Sequence, residues 1–172
     1  KKYLLPIILI VALGYIIYFN SLKSPFVYDD IHSIVENPHI RSLNNIGLVF
    51  VNPKAASLYF QHIMYRPIVI MSLILNYSIG GQDVFGYHIF NLLLHILNAV
   101  LIYFMTSFLL EAWGKKPNAA IALLSALIFV SHPVNTETVN YIISRSELLG
   151  SLFFLLSFVC FLKFTQKDIP SK

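Results

Sequence analysis

Residues 85–110 read FGYHIFNLLLHILNAVLIYFMTSFLL and contain no aspartate, glutamate, lysine or arginine. A helix needs about 20 mainly apolar residues to cross the hydrocarbon core of a bilayer, and this run is long enough. The whole chain agrees with it. Of 172 residues, 57% are hydrophobic and 12% charged, with a mean hydropathy of +0.71, whereas a soluble domain carries about 25% charged residues. So little charge cannot cover a soluble globule of this size, and so much apolar surface excludes a disordered chain. The single cysteine, Cys160, excludes an internal disulfide scaffold. The expected fold is an all-α membrane protein. The net charge of +4 then bears on topology, and no nucleic acid is expected as a partner.

Working outward from this run, we expect one membrane module over residues 1–172 with about four transmembrane helices, near 3–19, 85–110, 117–134 and 148–164. The apolar stretch 3–19 is longer than the core of a signal peptide, and Asn20-Ser21-Leu22-Lys23 is a poor cleavage site. Between the first two spans lies a long outer loop, 20–84, with an interfacial helix at 67–79 that is too short to cross. Arg66-Pro67 starts that helix, because proline is pre-set for the first helical position. Leu43 to Val51 forms a shorter amphipathic helix. With the N-terminus cytoplasmic, the inner segments hold Lys1, Lys2, Lys115, Lys116, Lys163, Lys167 and Lys172, seven of the 12 positive residues. This follows the positive-inside rule, to which loops longer than about 60 residues contribute little. The chain starts at Lys1-Lys2 rather than methionine and ends in Asp168-Ile169-Pro170-Ser171-Lys172, so we expect part of a longer protein.

Ionisable and polar residues in a membrane protein are costly, and so they are informative. Asp29-Asp30 stands about ten residues beyond the first span. Adjacent carboxylates raise one of the two pKa values, which suits a general base; they could also hold a divalent metal, or simply be a solvated loop pair. His88, Asn91, His95 and Asn98 fall within an arc of about 80° on one face of their helix. That face reads either as interhelical hydrogen bonding or, at His88, as the lining of a site. His132 to Glu137 and then Arg145-Ser146-Glu147 gather further polar groups on the outer side. Arg66 or Arg145 could clamp a phosphate bidentately or anchor at the headgroup layer. Asn76-Tyr77-Ser78 matches a glycosylation sequon but lies in an apolar segment.

One ordered series runs through these residues. It begins with Phe26-Val27-Tyr28-Asp29-Asp30, Ile34-Val35, Asn37, Tyr65-Arg66-Pro67 and Leu75-Asn76. It continues with Gly86-Tyr87-His88, Asn91-Leu92-Leu93-Leu94-His95, His132-Pro133-Val134-Asn135-Thr136-Glu137 and Arg145-Ser146-Glu147-Leu148-Leu149. This series resembles the N-terminal membrane part of the transmembrane-and-tetratricopeptide-repeat O-mannosyltransferases and their bacterial relatives, which are C-type glycosyltransferases related to the protein O-mannosyltransferases. The resemblance covers nearly the whole chain.

The resemblance implies a donor sugar, mannose, carried on polyprenyl or dolichyl phosphate, and an acceptor Ser or Thr hydroxyl of a protein at the outer or lumenal face. It favours Asp29 of the acidic pair, Asp29 and Asp30, as base, and it implies a membrane lipid environment in a bacterial inner membrane or the endoplasmic reticulum. Arg66, His88, His132, Glu137, Arg145 and Glu147 are the candidate substrate-binding residues. No metal-ligand set is assigned and no cofactor beyond the lipid-phosphate sugar is required. Family members have further spans and a repeat array that meets the acceptor, so this stretch is expected to form an incomplete active site whose partners include those parts. The competing reading is a non-catalytic scaffold or transporter-like subunit whose polar stripe packs against a partner helix. A transporter would place its ionisable groups near mid-span, whereas six of the eight acids here are expected on the outer side: Asp29, Asp30, Glu36, Asp83, Glu137 and Glu147.

Overall fold

The computed structural model describes residues 3–53, 65–114 and 118–167. Lys1, Lys2, Lys54, Lys115, Lys116, Pro117, the tail Asp168-Ile169-Pro170-Ser171-Lys172 and the side chain of Lys167, which enter the expected topology, lie outside the described residues. Every described element is helical: α1 (Leu4–Tyr18), α2 (Ile46–Val51), α3 (Pro67–Gly80), α4 (Val84–Ala112), α5 (Ala119–Ser131), α6 (Thr136–Asn140) and α7 (Arg145–Lys167), with short helical turns between them. Among the described residues, three segments are long and apolar enough to cross a membrane: Leu4–Lys23, Val84–Ala112 and Ile142–Thr165. A fourth arises if α5 and the following Pro133–Asn140 count as one broken span. The chain is a multi-pass membrane protein by helix composition.

The helices lie where apolar runs meet their breakers. The 29 residues of α4 rise about 44 Å at 1.5 Å each, more than a hydrocarbon core of about 30 Å. The last span is longer than the apolar run 148–164 because the helix starts further back, at Arg145. By contrast, α5 is shorter than the expected 117–134. Asn118 caps its start, its side-chain oxygen accepting the N–H groups of Ala120 and Ile121. Pro133 ends it by holding His132 in an extended conformation. With 14 residues, α3 is too short to span. It begins at Pro67 and closes at Gly81, whose φ of +60° favours glycine.

The chain forms two compact units. The first comprises residues 1–19, 92–136 and 147–172. Its α1 buries Pro6, Ile10, Gly14 and Tyr18, one residue per turn, and turns its other apolar side chains outward, as a lipid-facing helix does. The matching stripe on α5 is Ala122, Ala126 and Val130. Small residues let helices approach closely in lipid, where no hydrophobic force drives them together. Two hydrogen bonds then tie α4 to its neighbours: His95 Nε2 to the Val130 carbonyl at 3.2 Å and Asn98 Nδ2 to the Leu148 carbonyl at 3.0 Å. Of the polar stripe on α4, these two residues therefore act as interhelical ties.

The second unit comprises residues 20–91 and 137–146. Its core is Ile34, Ile40, Val49, Val69, Ile70, Leu73 and Ile74, which packs α3 against α2 and the turn Pro38–Arg41. Asn37 starts that turn, its Oδ1 accepting the His39 N–H at 2.9 Å. The carbonyl of Val35 accepts from both Arg41 and Gln82, and the Tyr87 hydroxyl donates to the Gly81 carbonyl at 2.9 Å. The long loop is thus a folded unit with its own core.

At Gly14, an added Cβ would lie 2.9 Å from Ile96 Cγ1 and 3.1 Å from Val130 Cγ2. Gly14→Val should cost about 1–3 kcal/mol through overpacking, read as a lower thermal unfolding midpoint in detergent. Gly150→Ala in α7, where nothing lies within 4 Å of the added methyl, should not lower that midpoint and should raise it slightly, because alanine favours a helix interior over glycine.

Candidate active site

The acidic pair is set by a sharp turn. Tyr28 has φ of +47°, in the left-handed region that non-glycine residues seldom enter. The backbone N–H groups of Asp30 and Ile31 then donate to the carbonyls of Val27 and Tyr28. This turn sends consecutive carboxylates into different surroundings.

Asp30 is 1% exposed. Its Oδ1 accepts the Ile143 N–H at 3.0 Å and its Oδ2 accepts the Val27 N–H at 3.2 Å. Burial pushes its carboxyl up to about 6; the backbone donors pull against this, and the neighbouring Asp29 adds to the rise. Asp30 therefore ties the loop to the chain before α7. Asp29 has a half-exposed side chain, 52%. Its Oδ1 lies 3.2 Å from His32 Nε2, and His32 Nδ1 lies 3.2 Å from Ser33 Oγ. The Asp29 N–H donates to the Tyr141 hydroxyl at 3.0 Å. Burial pushes the Tyr141 phenol up to about 12, so it stays protonated. The Tyr28 ring meets the Tyr141 ring edge-on, 6.4 Å between centroids.

Arg145 is the deepest charge, with no exposed surface. Its Nε donates to Asn91 Oδ1 at 2.8 Å, one Nη to Ser72 Oγ at 3.0 Å and the other to the Tyr87 carbonyl at 3.1 Å. The guanidinium also lies 4.4 Å from the centre of the Phe90 ring, a cation–π contact. Asn91 Nδ2 in turn reaches the carbonyls of Tyr141 and Ile142 at 3.4 and 3.3 Å. Arg145 thus donates from each of its guanidinium nitrogens inside the unit, whereas the sequence reads it either as a phosphate clamp or as a headgroup anchor. It is an internal tie between α3, α4 and the start of α7. Arg66, half-buried at the start of α3, donates to Ser146 Oγ at 3.1 Å. His88 is buried, its Nε2 3.0 Å from the Ser24 carbonyl. Its Nδ1 is buried with no hydrogen-bond partner among the described residues. Glu137 is exposed in the first turn of α6.

Two candidates belong to the first unit. His132 is exposed, and its Nδ1 accepts the Val134 N–H at 3.2 Å, capping the turn Pro133–Asn135. Glu147 is exposed in the first turn of α7. The second unit thus joins Asp29 and Asp30 to segment 137–146. His32 and Tyr141 complete the surroundings of Asp29, and neither was singled out from sequence. The spacing Asp29-x-x-His32 is legible in the chain. Tyr141, 112 residues from Asp29, carries no local signal. Among the described residues, no three His, Cys, Asp or Glu side chains come together as metal ligands. Asp30 gives one acceptor site on each oxygen to a backbone N–H group.

Arg145→Leu would leave Asn91, Ser72 and the Tyr87 carbonyl without their donor. An unsatisfied buried polar group costs about 1–3 kcal/mol, so this variant should lose several kcal/mol of stability. A thermal midpoint equal to that of the unaltered protein would overturn the structural role.

No family model matches the chain, and no solved structure matches it. Among curated proteins it is 36% identical over 155 residues to Protein O-mannosyl-transferase tmtc2 of Xenopus laevis, covering 88% of this chain and 18% of that protein. The identity to Protein O-mannosyl-transferase TMTC2 of Homo sapiens is also 36%, with the same coverage. Protein O-mannosyl-transferase Tmtc3 of Drosophila melanogaster is 30% identical over 180 residues, covering 95% of this chain and 19% of that protein. The chain spans about 18% of the length of the first of these relatives. Over most of its own length, then, this chain is homologous to one segment of the TMTC protein O-mannosyl-transferases.

Proposed function

We propose that this chain supplies the catalytic acidic loop of a glycosyltransferase that moves mannose from a polyprenyl- or dolichyl-phosphate donor to a Ser or Thr hydroxyl of a protein at the outer or lumenal membrane face. The observation that supports it best is the division of the acidic pair. Asp29 presents a solvent-accessible carboxylate on a turn held by Asp30, in a chain homologous to O-mannosyl-transferases. A general base must reach the proton that it removes, and of the two acids only Asp29 is exposed.

In the proposed step the acceptor hydroxyl gives its proton to Asp29 as its oxygen forms a bond to the anomeric carbon. The bond from that carbon to the lipid phosphate breaks, and the phosphate leaves with the electron pair. The configuration inverts, and the carboxyl proton passes to solvent. His32, at 3.2 Å, orients the carboxylate. Arg66, at the start of α3, offsets charge on the departing phosphate, an electrostatic contribution that is often the largest in catalysis. His88, Glu137, His132 and Glu147 remain candidates for binding donor or acceptor.

A positioned base contributes roughly 10²–10⁴-fold to rate. Asp29→Asn in the intact protein should therefore lower transfer from a dolichyl- or polyprenyl-phosphate mannose to an acceptor peptide by that factor, with folding unchanged. Retained transfer would sink the assignment of the base, and no transfer from any lipid-phosphate sugar by the unaltered protein would sink the enzyme reading.

Asp30 should show itself in stability. Its folded value of about 6 stands above the ordinary aspartate value of 3.8, so the folded state binds the proton more tightly. Its contribution is most favourable below about pH 4, declines as pH rises between the two values, and settles at its lowest above about pH 6. The difference is roughly 3 kcal/mol for two pKa units. Asp30→Asn should flatten the fall in unfolding midpoint between pH 4.5 and 7.5, and an unchanged pH profile would contradict this.

A further inference from the structure

A cavity of about 330 Å³ lies in the first unit, where α1 starts, α4 ends and α7 ends. Its walls are aromatic: Tyr3 meets Phe104 edge-on at 5.6 Å, Tyr103 meets Phe104 at 5.4 Å, and Phe108 stacks on Phe104 at 6.3 Å. Two opposite charges, Glu111 and Lys163, join Ser107 and Ala119 in completing the lining. Among the described residues, neither the carboxylate nor the ammonium has a hydrogen-bond or ion-pair partner. They share one cavity without pairing, so they stand more than 4.0 Å apart.

We infer that this cavity binds a phospholipid headgroup carrying both a primary ammonium and a phosphate, that of phosphatidylethanolamine. Three observations carry the assignment. Glu111 and Lys163 lie in the last turns of α4 and α7, both of which form candidate membrane spans, so the cavity opens at the depth of lipid headgroups. Its charges are complementary to a zwitterion: the ammonium donates to Glu111 and the phosphate accepts from Lys163, both charge-assisted hydrogen bonds. The volume suits a headgroup and glycerol rather than a whole lipid, with the acyl chain leaving along the rings of Tyr103, Phe104 and Phe108. A choline headgroup has no N–H to give Glu111. An anionic glycerol headgroup offers Glu111 only neutral hydroxyl donors and no compensating positive charge. The inference concerns a different end of α4 from the acidic loop and does not depend on the transferase reading.

The test is lipid retention by the intact protein, exchanged into nanodiscs of equimolar phosphatidylethanolamine, phosphatidylcholine and phosphatidylglycerol and then released for native mass spectrometry. Phosphatidylethanolamine should be retained about tenfold over each of the other two, equivalent to about 1.4 kcal/mol. Lys163→Gln should lower retention of all three lipids, since each carries the phosphate that Lys163 meets. Glu111→Gln should lose the preference over phosphatidylcholine and shift retention towards phosphatidylglycerol. Both residues are exposed, so the variants should fold, and an unchanged unfolding midpoint checks this. Equal retention of the three lipids by the unaltered protein, a preference that survives Glu111→Gln, or retention unaffected by Lys163→Gln would overturn the assignment. So would preferential retention of phosphatidylglycerol or phosphatidylcholine.

Discussion

The second unit depends on one buried cation. Taking a guanidinium out of water costs several kcal/mol even after relaxation, so Arg145 persists only because fixed acceptors meet it from three directions. Ser72 comes from α3, and Asn91 and the Tyr87 carbonyl come from α4. Phe90 adds the face of its ring. Asn91 is held in turn by donating to the carbonyls just before Arg145. The tie thereby locks segment 137–146 against α3 and α4. From that segment the Ile143 N–H reaches Asp30 and the Tyr141 hydroxyl meets the backbone of Asp29. The position of the acidic pair is therefore a consequence of how the arginine is satisfied.

Two adjacent residues of the same type end with different work to do. Asp30 is drawn inward by two backbone donors, and burial raises its pKa. Asp29 stays half in water with a histidine beside it. The left-handed Tyr28 makes this separation, since an extended or helical residue there would not reverse the chain so tightly. Backbone strain concentrates at functional positions, and in this loop it sits immediately before the exposed acid.

In the first unit polar groups serve a plainer purpose. Helices in lipid lack a hydrophobic force to join them, so contact comes from small residues and a few hydrogen bonds. Gly14, Ala122 and Ala126 allow the approach of α1 to α5, while His95 and Asn98 join α4 to its neighbours. The charges left over, Glu111 and Lys163, stand at the helix ends around the aromatic cavity.

The amino-acid sequence by itself determined the membrane class, the all-helical fold and the places of the long helices. These follow from local properties: the length of an uncharged apolar run, and the prolines, glycines and asparagines that stop it. The sequence also marked Asp29 and Asp30 and the resemblance to O-mannosyltransferases. It reads a span over 117–134, within which the helix α5 stops at Ser131 because Pro133 holds His132 in an extended conformation. Only the tertiary structure decided which acid is exposed, and that Arg145 is an internal tie while Arg66 lies at the start of α3 beside Ser146. The physical reason is distance along the chain. Arg145 meets partners 54 to 73 residues away and Asp30 meets one 113 residues away. Burial and hydrogen bonding across such separations are set by packing, which no local pattern encodes.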